Sequence, residues 1–271
     1  MNITILANND LAGCVALNYL VPQLENHVIT VFLSSQVGKK QSDGVPAQLA
    51  ELKFFEQTLF TELLFPALDG AAEVVGKAAG LVSFQGLRRW SVRGVEVLNR
   101  INEDEGLARL RESEPELVLS IRYGVILKDA VIGLPRLGVL NLHAGRLPDY
   151  RGVMGSFWAM LNGEAALGTT LHYIDDVGVD TGRIVNTTTL PVRQGKSYLW
   201  HVLALYEDGC RNMAEAVHAL AANESLPASP QPSGGHYYTF PTEAELARFA
   251  ENGRRLFDRD EVAAIARRFL P

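Results

Sequence analysis

The sequence has few cysteines and no long apolar runs. Its two cysteines, Cys14 and Cys210, lie far apart, each in an apolar helix-like pattern, so neither a disulfide framework nor a cysteine-based metal site is expected. No stretch approaches the ~18 consecutive apolar residues of a membrane-spanning helix. The first residues lack the basic segment that opens a signal peptide. These absences predict a reduced, cytoplasmic protein that does not associate with membranes and holds no metal.

The sequence also has fewer basic than acidic residues. The 271 residues include 31 Asp and Glu but only 25 Lys and Arg, so the net charge is −6. An excess of negative charge disfavours a polyanionic partner such as nucleic acid. The hydrophobic content of 47% is ordinary for a globular protein, and the length suits one large domain with or without an appendage.

Short apolar runs alternate with helix-like segments in the first half of the chain. The runs at 3–7, 28–33, 117–121 and 139–142 lack polar alternation, which is typical of strands buried on both faces. Asp10 follows the first run and is suited to cap a helix that ends near residue 24. This alternation predicts an α/β fold with a Rossmann-like, mostly parallel sheet.

The region 34–94 is harder to interpret. Its apolar residues predict a helix at 49–64 and a strand at 63–68. Beyond it, 102–113 and 155–163 have helical patterns.

The last third of the chain divides into a sheet edge, a long helix and an appendage. Alternating residues at 169–174 and 183–190 predict two antiparallel strands, and 196–222 predicts an amphipathic helix. We therefore expect a main domain over 1–222 and a C-terminal appendage over 223–271. The appendage would contain a linker at 227–235, a short hairpin near 237–240, and helices at 243–252 and 259–269.

Three polar side chains suit one chemistry. Asn141 and His143 follow a predicted strand at i and i+2, so both side chains lie on one face. An amide and an imidazolium can both donate to a developing oxyanion. A neighbouring carboxylate would favour the charged imidazole, and the loop 175–182 can supply it through Asp180.

The stretch that contains these residues resembles the catalytic core of the folate-dependent formyltransferases. This family includes methionyl-tRNA formyltransferase, glycinamide ribonucleotide transformylase and sugar-amine N-formyltransferases. The resemblance is close over 123–190 and rests on the sequences NLHAGRLPDYRG, NGE, GTTLH and DVGVDTG.

The resemblance implies a fold, a co-substrate and residue roles. It implies a formyltransferase domain that uses 10-formyltetrahydrofolate, with Asn141, His143 and Asp180 as catalytic residues. Asn141 and protonated His143 would hold the oxyanion, while Asp180 would support His143 and help to move the amine proton. The folate pocket would be lined by Tyr123, Val125, Ile126, Leu127, Asp176, Val177 and Gly178.

Two departures from the family pattern bear on the acceptor. Gly145 and Arg146 stand where the family usually has Ser and Leu, and a guanidinium at Arg146 could reach an anionic group. The first turn, Asn8, Asn9 and Asp10, is not a glycine-rich phosphate loop, and Asp10 would repel a phosphate at the helix N-terminus. The expected acceptor-binding residues are Asn8, Asn9, Asp10 and Arg146.

The expected reaction is formyl transfer to an amine of a small molecule. The acceptor would be an amino sugar or a hydroxylated, amino-acid-derived amine. The tRNA-directed members of the family carry a basic C-terminal domain, whereas residues 223–271 here hold seven acidic and six basic residues. Two alternatives remain, a methionyl-tRNA formyltransferase and a non-catalytic folate-binding module, and the oligomeric state is open.

Overall fold

A seven-stranded sheet forms the centre of the protein. The computed structural model describes residues 1–35, 44–71 and 80–270. The strands are β1 Asn2–Asn8, β2 Val28–Ser34, β3 Val92–Val97, β4 Leu117–Ile121, β5 Val139–His143, β6 Tyr150–Gly152, β7 Ala166–Leu167, β8 Thr170–Tyr173, β9 Ile184–Thr187, β10 Leu190–Pro191 and β11 His236–Tyr238. The sheet order is β3-β2-β1-β4-β5-β8-β9. The first five of these strands are parallel, and β8 and β9 are antiparallel; apart from β3, this is what the sequence predicts.

Helices cover both faces of the sheet. They are α1 Leu11–Leu20, α2 Ala47–Lys53, α3 Phe65–Ala71, α4 Asp104–Glu112, α5 Asp129–Ile132, α6 Gly155–Leu161, α7 Tyr198–Ala221, α8 Glu243–Glu251 and α9 Arg259–Arg267. The described residues also contain two 3₁₀ segments, Val21–Leu24 and Gln85–Arg89, and a π-helical segment, Phe54–Leu64. None of the helices in the described ranges is long and apolar enough to cross a membrane.

Successive side chains of the central strands point to opposite faces of the sheet and belong to two separate hydrophobic cores. In β1, Ile3 and Ile5 belong to the large core under α1 and α7, whereas Leu6 belongs to a smaller core beside α4 and α5. Both sets are almost completely buried. A parallel sheet covered on both faces requires such continuous apolar strands, which is why they could be predicted.

The predicted strand at 63–68 is wrong, because this stretch is helical. It spans the end of the π-helical segment and the start of α3. Leu64, Phe65 and Leu68 all pack against the large core, and their i, i+1, i+4 spacing fits one side of a helix. Strand β3 was not predicted, because exposed residues interrupt its apolar pattern at the edge of the sheet.

The predicted hairpin near 237–240 is also wrong. Strand β11 pairs in parallel with the distant β6, and Tyr238 stacks on Trp158 with ring centroids 4.8 Å apart. The two predicted terminal helices are present as α8 and α9. Phe249 of α8 packs on Phe157 of α6 with ring centroids 4.5 Å apart, so the C-terminal residues contribute to the large core.

Candidate active site

Strands β5 and β8 place four polar side chains on one face of the sheet. Asn141 lies directly opposite His172, and His143 lies opposite Thr170 in the antiparallel pairing. The i, i+2 spacing of Asn141 and His143 gives them the same face, as expected from the sequence. Val139, two residues before Asn141, lies on the same face and belongs to the smaller core.

The loop between β8 and β9 brings Asp180 to these side chains. Asp180 Oδ2 lies 3.5 Å from His143 Nδ1, and its Oδ1 lies 3.5 Å from His172 Nε2 and 3.4 Å from Asn141 Nδ2. The backbone N–H of Gly152 donates to Oδ2 over 2.8 Å. The structure therefore brings together Asn141, His143 and Asp180, the three residues predicted to be catalytic.

The carboxyl group of Asp180 stays ionised in this setting. Burial by itself raises the pKa of Asp180, because a low-dielectric environment disfavours charge. When the imidazoles of His143 and His172 are protonated, their charges act in the opposite direction, together with a hydrogen bond from His172 and the Gly152 N–H, and they prevail, so the pKa is about 2. The site thus holds a fixed negative charge whose side chain is only 10% exposed.

The imidazole of His143 is held from its other side. Its Nε2 donates to the carbonyl oxygen of Tyr150 over 2.6 Å, which places the proton of the neutral ring on Nε2. Nδ1 then faces Asp180, and protonation of Nδ1 would complete an ion pair. A Cβ atom at Gly145 would lie 2.6 Å from this Nε2, so the glycine makes room for the ring.

The sequence prediction did not assign a role to His172. Its Nδ1 lies 2.8 Å from the carbonyl oxygen of Tyr173 and must therefore carry a hydrogen. Its Nε2 then accepts from Asn141 Nδ2 over 3.0 Å, which fixes the orientation of the Asn141 amide. The pairing of its strand with the strand of Asn141 identifies His172, but an alternating sequence pattern does not reveal which strands pair.

The residues predicted to line a folate pocket lie on two loops beside the smaller core. Tyr123, Val125 and Leu127 follow β4 and pack against or within this core, as does Ile174 at the start of the other loop. Tyr123 donates its hydroxyl hydrogen to Leu98 O, and burial raises its pKa.

Each of the two loops exposes one apolar side chain, Ile126 and Val177, which are 58% and 52% exposed. Asp176 instead closes its own loop by accepting from the Gly178 N–H over 2.7 Å. The exposed apolar pair is therefore accessible to a ligand.

The predicted acceptor-binding role of Asn8 and Asp10 does not fit their environment. The two residues are 3% and 2% exposed. Asn8 Nδ2 donates to Asp10 over 2.7 Å, and Asp10 caps α1 by accepting from the Gly13 N–H over 2.6 Å. Arg122 Nη2 donates to Asp10 over 2.8 Å. These contacts commit both side chains to the interior, because a buried polar atom needs an internal partner.

Arg122 joins Asp10 to a second carboxyl, that of the partly buried Glu56, which accepts from its Nη2 over 2.5 Å. Burial raises the pKa of Glu56 to about 7, although the charge of Arg122 opposes this rise. A group of two acidic residues and one basic residue thus lies at the carboxyl ends of β1 and β4. The sequence prediction did not identify it.

The other two predicted acceptor-binding residues are more accessible. Asn9 is partly exposed, and Arg146 is exposed. The side-chain methylenes of Arg146 lie over Gly168, where a Cβ would meet Cγ at 3.0 Å. Within the described part of the chain, the Arg146 guanidinium has neither an ion pair nor a hydrogen bond, so it remains available to an anionic group.

Comparisons with known proteins find similarity to formyltransferases. The family model described as Formyl transferase matches residues 90–199, which include β5, β8 and the Asp180 loop. The chain is 34% identical over 154 residues to the methionyl-tRNA formyltransferase of Deinococcus radiodurans. That match covers 56% of this chain and 47% of the relative, so the chain spans about half the length of the curated relative.

Two solved structures share the fold. The phosphoribosylglycinamide formyltransferase of Anaplasma phagocytophilum superposes with a TM-score of 0.56 at 17% identity, covering 86% of this chain and 94% of that one. The N-formyltransferase of Helicobacter canadensis, solved with folinic acid and dTDP-3-aminofucose, gives a TM-score of 0.51 at 18% identity, covering 88% and 70%.

Proposed function

We propose that the chain transfers the formyl group of 10-formyltetrahydrofolate to an amine of a small molecule, and the match of residues 90–199 to the formyl transferase family model supports this proposal. The observation that carries this proposal is the ionised Asp180 beside an amide and two imidazoles in a nearly buried site. Within the described residues, no cluster of His, Cys, Asp or Glu is arranged to hold a metal ion. Acid–base and oxyanion chemistry is what the side chains present can supply.

In the proposed reaction, the amine nitrogen attacks the formyl carbon and the carbonyl electron pair moves onto oxygen. The amine loses a proton, the bond between the formyl carbon and N10 of the folate breaks, and N10 takes up a proton. The products are the N-formyl amine and tetrahydrofolate. Three groups are needed for these steps: a donor to the oxyanion, a base for the amine proton and an acid for N10.

Asn141 would donate to the oxyanion. One hydrogen of its amide is committed to His172 over 3.0 Å, whereas the contact with Asp180 is long, at 3.4 Å. An oxyanion can replace this contact at little cost, because 3.4 Å is long for a hydrogen bond from an amide to a carboxylate. His172 holds the amide in the orientation that this exchange requires.

His143 and Asp180 would handle the proton. In the neutral ring, Nδ1 carries a lone pair directed to the space beside Asp180, so it can accept the amine proton. The resulting imidazolium lies 3.5 Å from the Asp180 carboxylate, which stabilises its charge. His143 can then return the proton to N10 of the folate.

The folate would lie between the loops that carry Ile126 and Val177. Both side chains are apolar and more than half exposed. A flat pterin ring would cover them. The folinic acid in the Helicobacter canadensis structure supports a folate for this fold.

The acceptor is proposed to be a small molecule because of charge. The net charge of −6 disfavours a polyanion, and the carboxyls of Asp10 and Glu56 flank the turn after β1. Methionyl-tRNA is the second candidate acceptor, and it is supported by the sequence relatives that match about half of this chain.

The test is tetrahydrofolate release from 10-formyltetrahydrofolate, measured by absorbance against a panel of acceptors. The panel contains nucleotide-linked amino sugars, N-hydroxyornithine and aminoacylated initiator tRNA. Release with a small amine supports the proposal, and release with tRNA alone replaces it with the second candidate. Folate binding without release from any acceptor would contradict catalysis and favour a folate-binding module.

A further inference from the structure

The segment that the sequence predicts as a linker contacts the catalytic loop directly. Ser229 forms an antiparallel bridge with Ile184 at the start of β9. Two residues later, the side-chain amide of Gln231 donates to Asp180 O over 2.9 Å and to Gly182 O over 2.8 Å. One NH₂ group thus uses both its hydrogens on the backbone of the Asp180 loop.

The Asp180 backbone has a conformation that needs such support. Its φ is +55°, in the left-handed region that residues other than glycine enter at an energetic cost. This conformation turns the carboxylate toward His143 and His172. Without contacts on the far side of the loop, Asp180 can relax to an ordinary backbone conformation and aim its carboxylate elsewhere.

The C-terminal segment also pairs with β6, the strand that contacts both His143 and Asp180. Strand β6 supplies Tyr150 O to His143 and the Gly152 N–H to Asp180. Its sheet partner is β11, and Tyr238 of β11 accepts from the Val153 N–H over 2.9 Å. Gln231 therefore lies between Ser229, which pairs with β9, and β11, which pairs with β6, so this segment borders the catalytic pair on two sides.

We propose that Gln231 is a positioning residue for the formyl transfer reaction, acting through the backbone of Asp180. It touches no reacting atom. Its amide holds the left-handed turn that keeps the Asp180 carboxylate beside His143. This inference rests on the proposed function, because positioning has meaning only if Asp180 takes part in the reaction.

The first test compares Gln231→Leu and Gln231→Glu with the wild type. Leucine keeps a similar size but has no donor, and glutamate places acceptors against two carbonyl oxygens. We expect either variant to lower kcat by roughly tenfold to thirtyfold, since two neutral hydrogen bonds are lost. The KM of the acceptor should stay within about twofold. Ser233→Ala is the matched control, because Ser233 is exposed in the same segment, and its kcat should not change.

A double-mutant cycle separates positioning from general stability. If Gln231 acts through Asp180, the effect of Gln231→Leu on kcat should disappear in an Asp180→Asn background. Equal losses of kcat in both backgrounds would overturn the proposal, as would full activity of Gln231→Glu.

A spectroscopic measurement tests the role of Gln231 separately from the proposed reaction. Side-chain ¹⁵N spectra of His143 and His172 report the nearby carboxylate directly and require no turnover. We expect both resonances to shift in Gln231→Leu and to stay in place in Ser233→Ala. Shifted resonances in an enzyme that formylates no acceptor would show that Gln231 places the Asp180 carboxylate while refuting the proposed reaction. Unchanged resonances would refute the positioning role.

Discussion

The substitution Asp180→Asn tests the electrostatics of the site most sharply. It removes one negative charge and keeps the shape of the side chain, and the remaining amide oxygen can still accept from the Gly152 N–H. His143 and His172 then lose the carboxylate that lies 3.5 Å from each of them. The change therefore isolates charge from packing.

The magnitude follows from the pKa of Asp180. The carboxyl titrates near 2 in the folded protein, against about 3.9 in an unfolded chain. A lowered folded-state pKa means that the ionised group stabilises the fold above the unfolded-state pKa. At neutral pH this contribution is about 2 kcal/mol, and it is lost as the pH falls from about 4 toward 2.

The assay is urea unfolding of the wild type and Asp180→Asn at several pH values. We expect the wild type to be more stable by about 2 kcal/mol at pH 5 to 7, and the difference to shrink below pH 4. Asp208→Asn is the control, because Asp208 is 59% exposed in a surface pair with Arg211 and should have little effect. A difference that does not vary with pH, or a more stable Asp180→Asn variant, would refute this account of the site.

Two further substitutions test other parts of the structure. Gly145→Ser should lower kcat at least tenfold and destabilise the fold by about 1–3 kcal/mol, because any Cβ there meets His143 Nε2. Steady-state kinetics and thermal unfolding measure the two effects. Gly70→Ser is the control, because a Cβ at Gly70 meets nothing within 4 Å. Glu56 has a raised pKa near 7, so the stability that its protonated form contributes is present below the unfolded-state pKa and is lost as the pH rises through 7. Unfolding from pH 5 to 8 should therefore show the wild type losing stability relative to Glu56→Gln, by at most about 3 kcal/mol, and parallel curves would contradict the partly buried setting of Glu56.

The central strands and two of the three proposed catalytic positions could be predicted from local sequence alone. A parallel strand buried on both faces needs a continuous apolar run, and Asn141 and His143 follow one at a spacing that fixes their face. Asp180 lies in a loop, so its exact position could not be predicted. The Asp-rich composition of the loop nevertheless indicated that it could supply a carboxylate to the site.

The contacts made by distant segments could not be predicted. Gln231 lies in a Pro- and Ser-rich stretch whose composition predicts a linker, and only the fold shows that it reaches Asp180. His172 acquires its partner from a cross-strand pairing. The edge strand Val92–Val97 has no continuous apolar run, because an edge strand need not be buried on both sides.

The burial of Asp10 was hidden for a similar reason. A capping residue and a ligand-binding residue look the same in a turn sequence, and Arg122, which pairs with Asp10, lies 112 residues further along the chain. Short-range patterns cannot reveal a buried ion pair that forms between strands.

The most direct measurement follows the formyl group itself. Incubation with 10-[¹³C]formyltetrahydrofolate and the responsive acceptor should place the label on the acceptor nitrogen, with one tetrahydrofolate released for each formyl group transferred. Asn141→Ala should slow this transfer by roughly 10²–10³-fold, whereas Asn186→Ala, an exposed asparagine on β9, should leave it unchanged. Label recovered only as free formate, or transfer at the wild-type rate by Asn141→Ala, would contradict formyl transfer at this site.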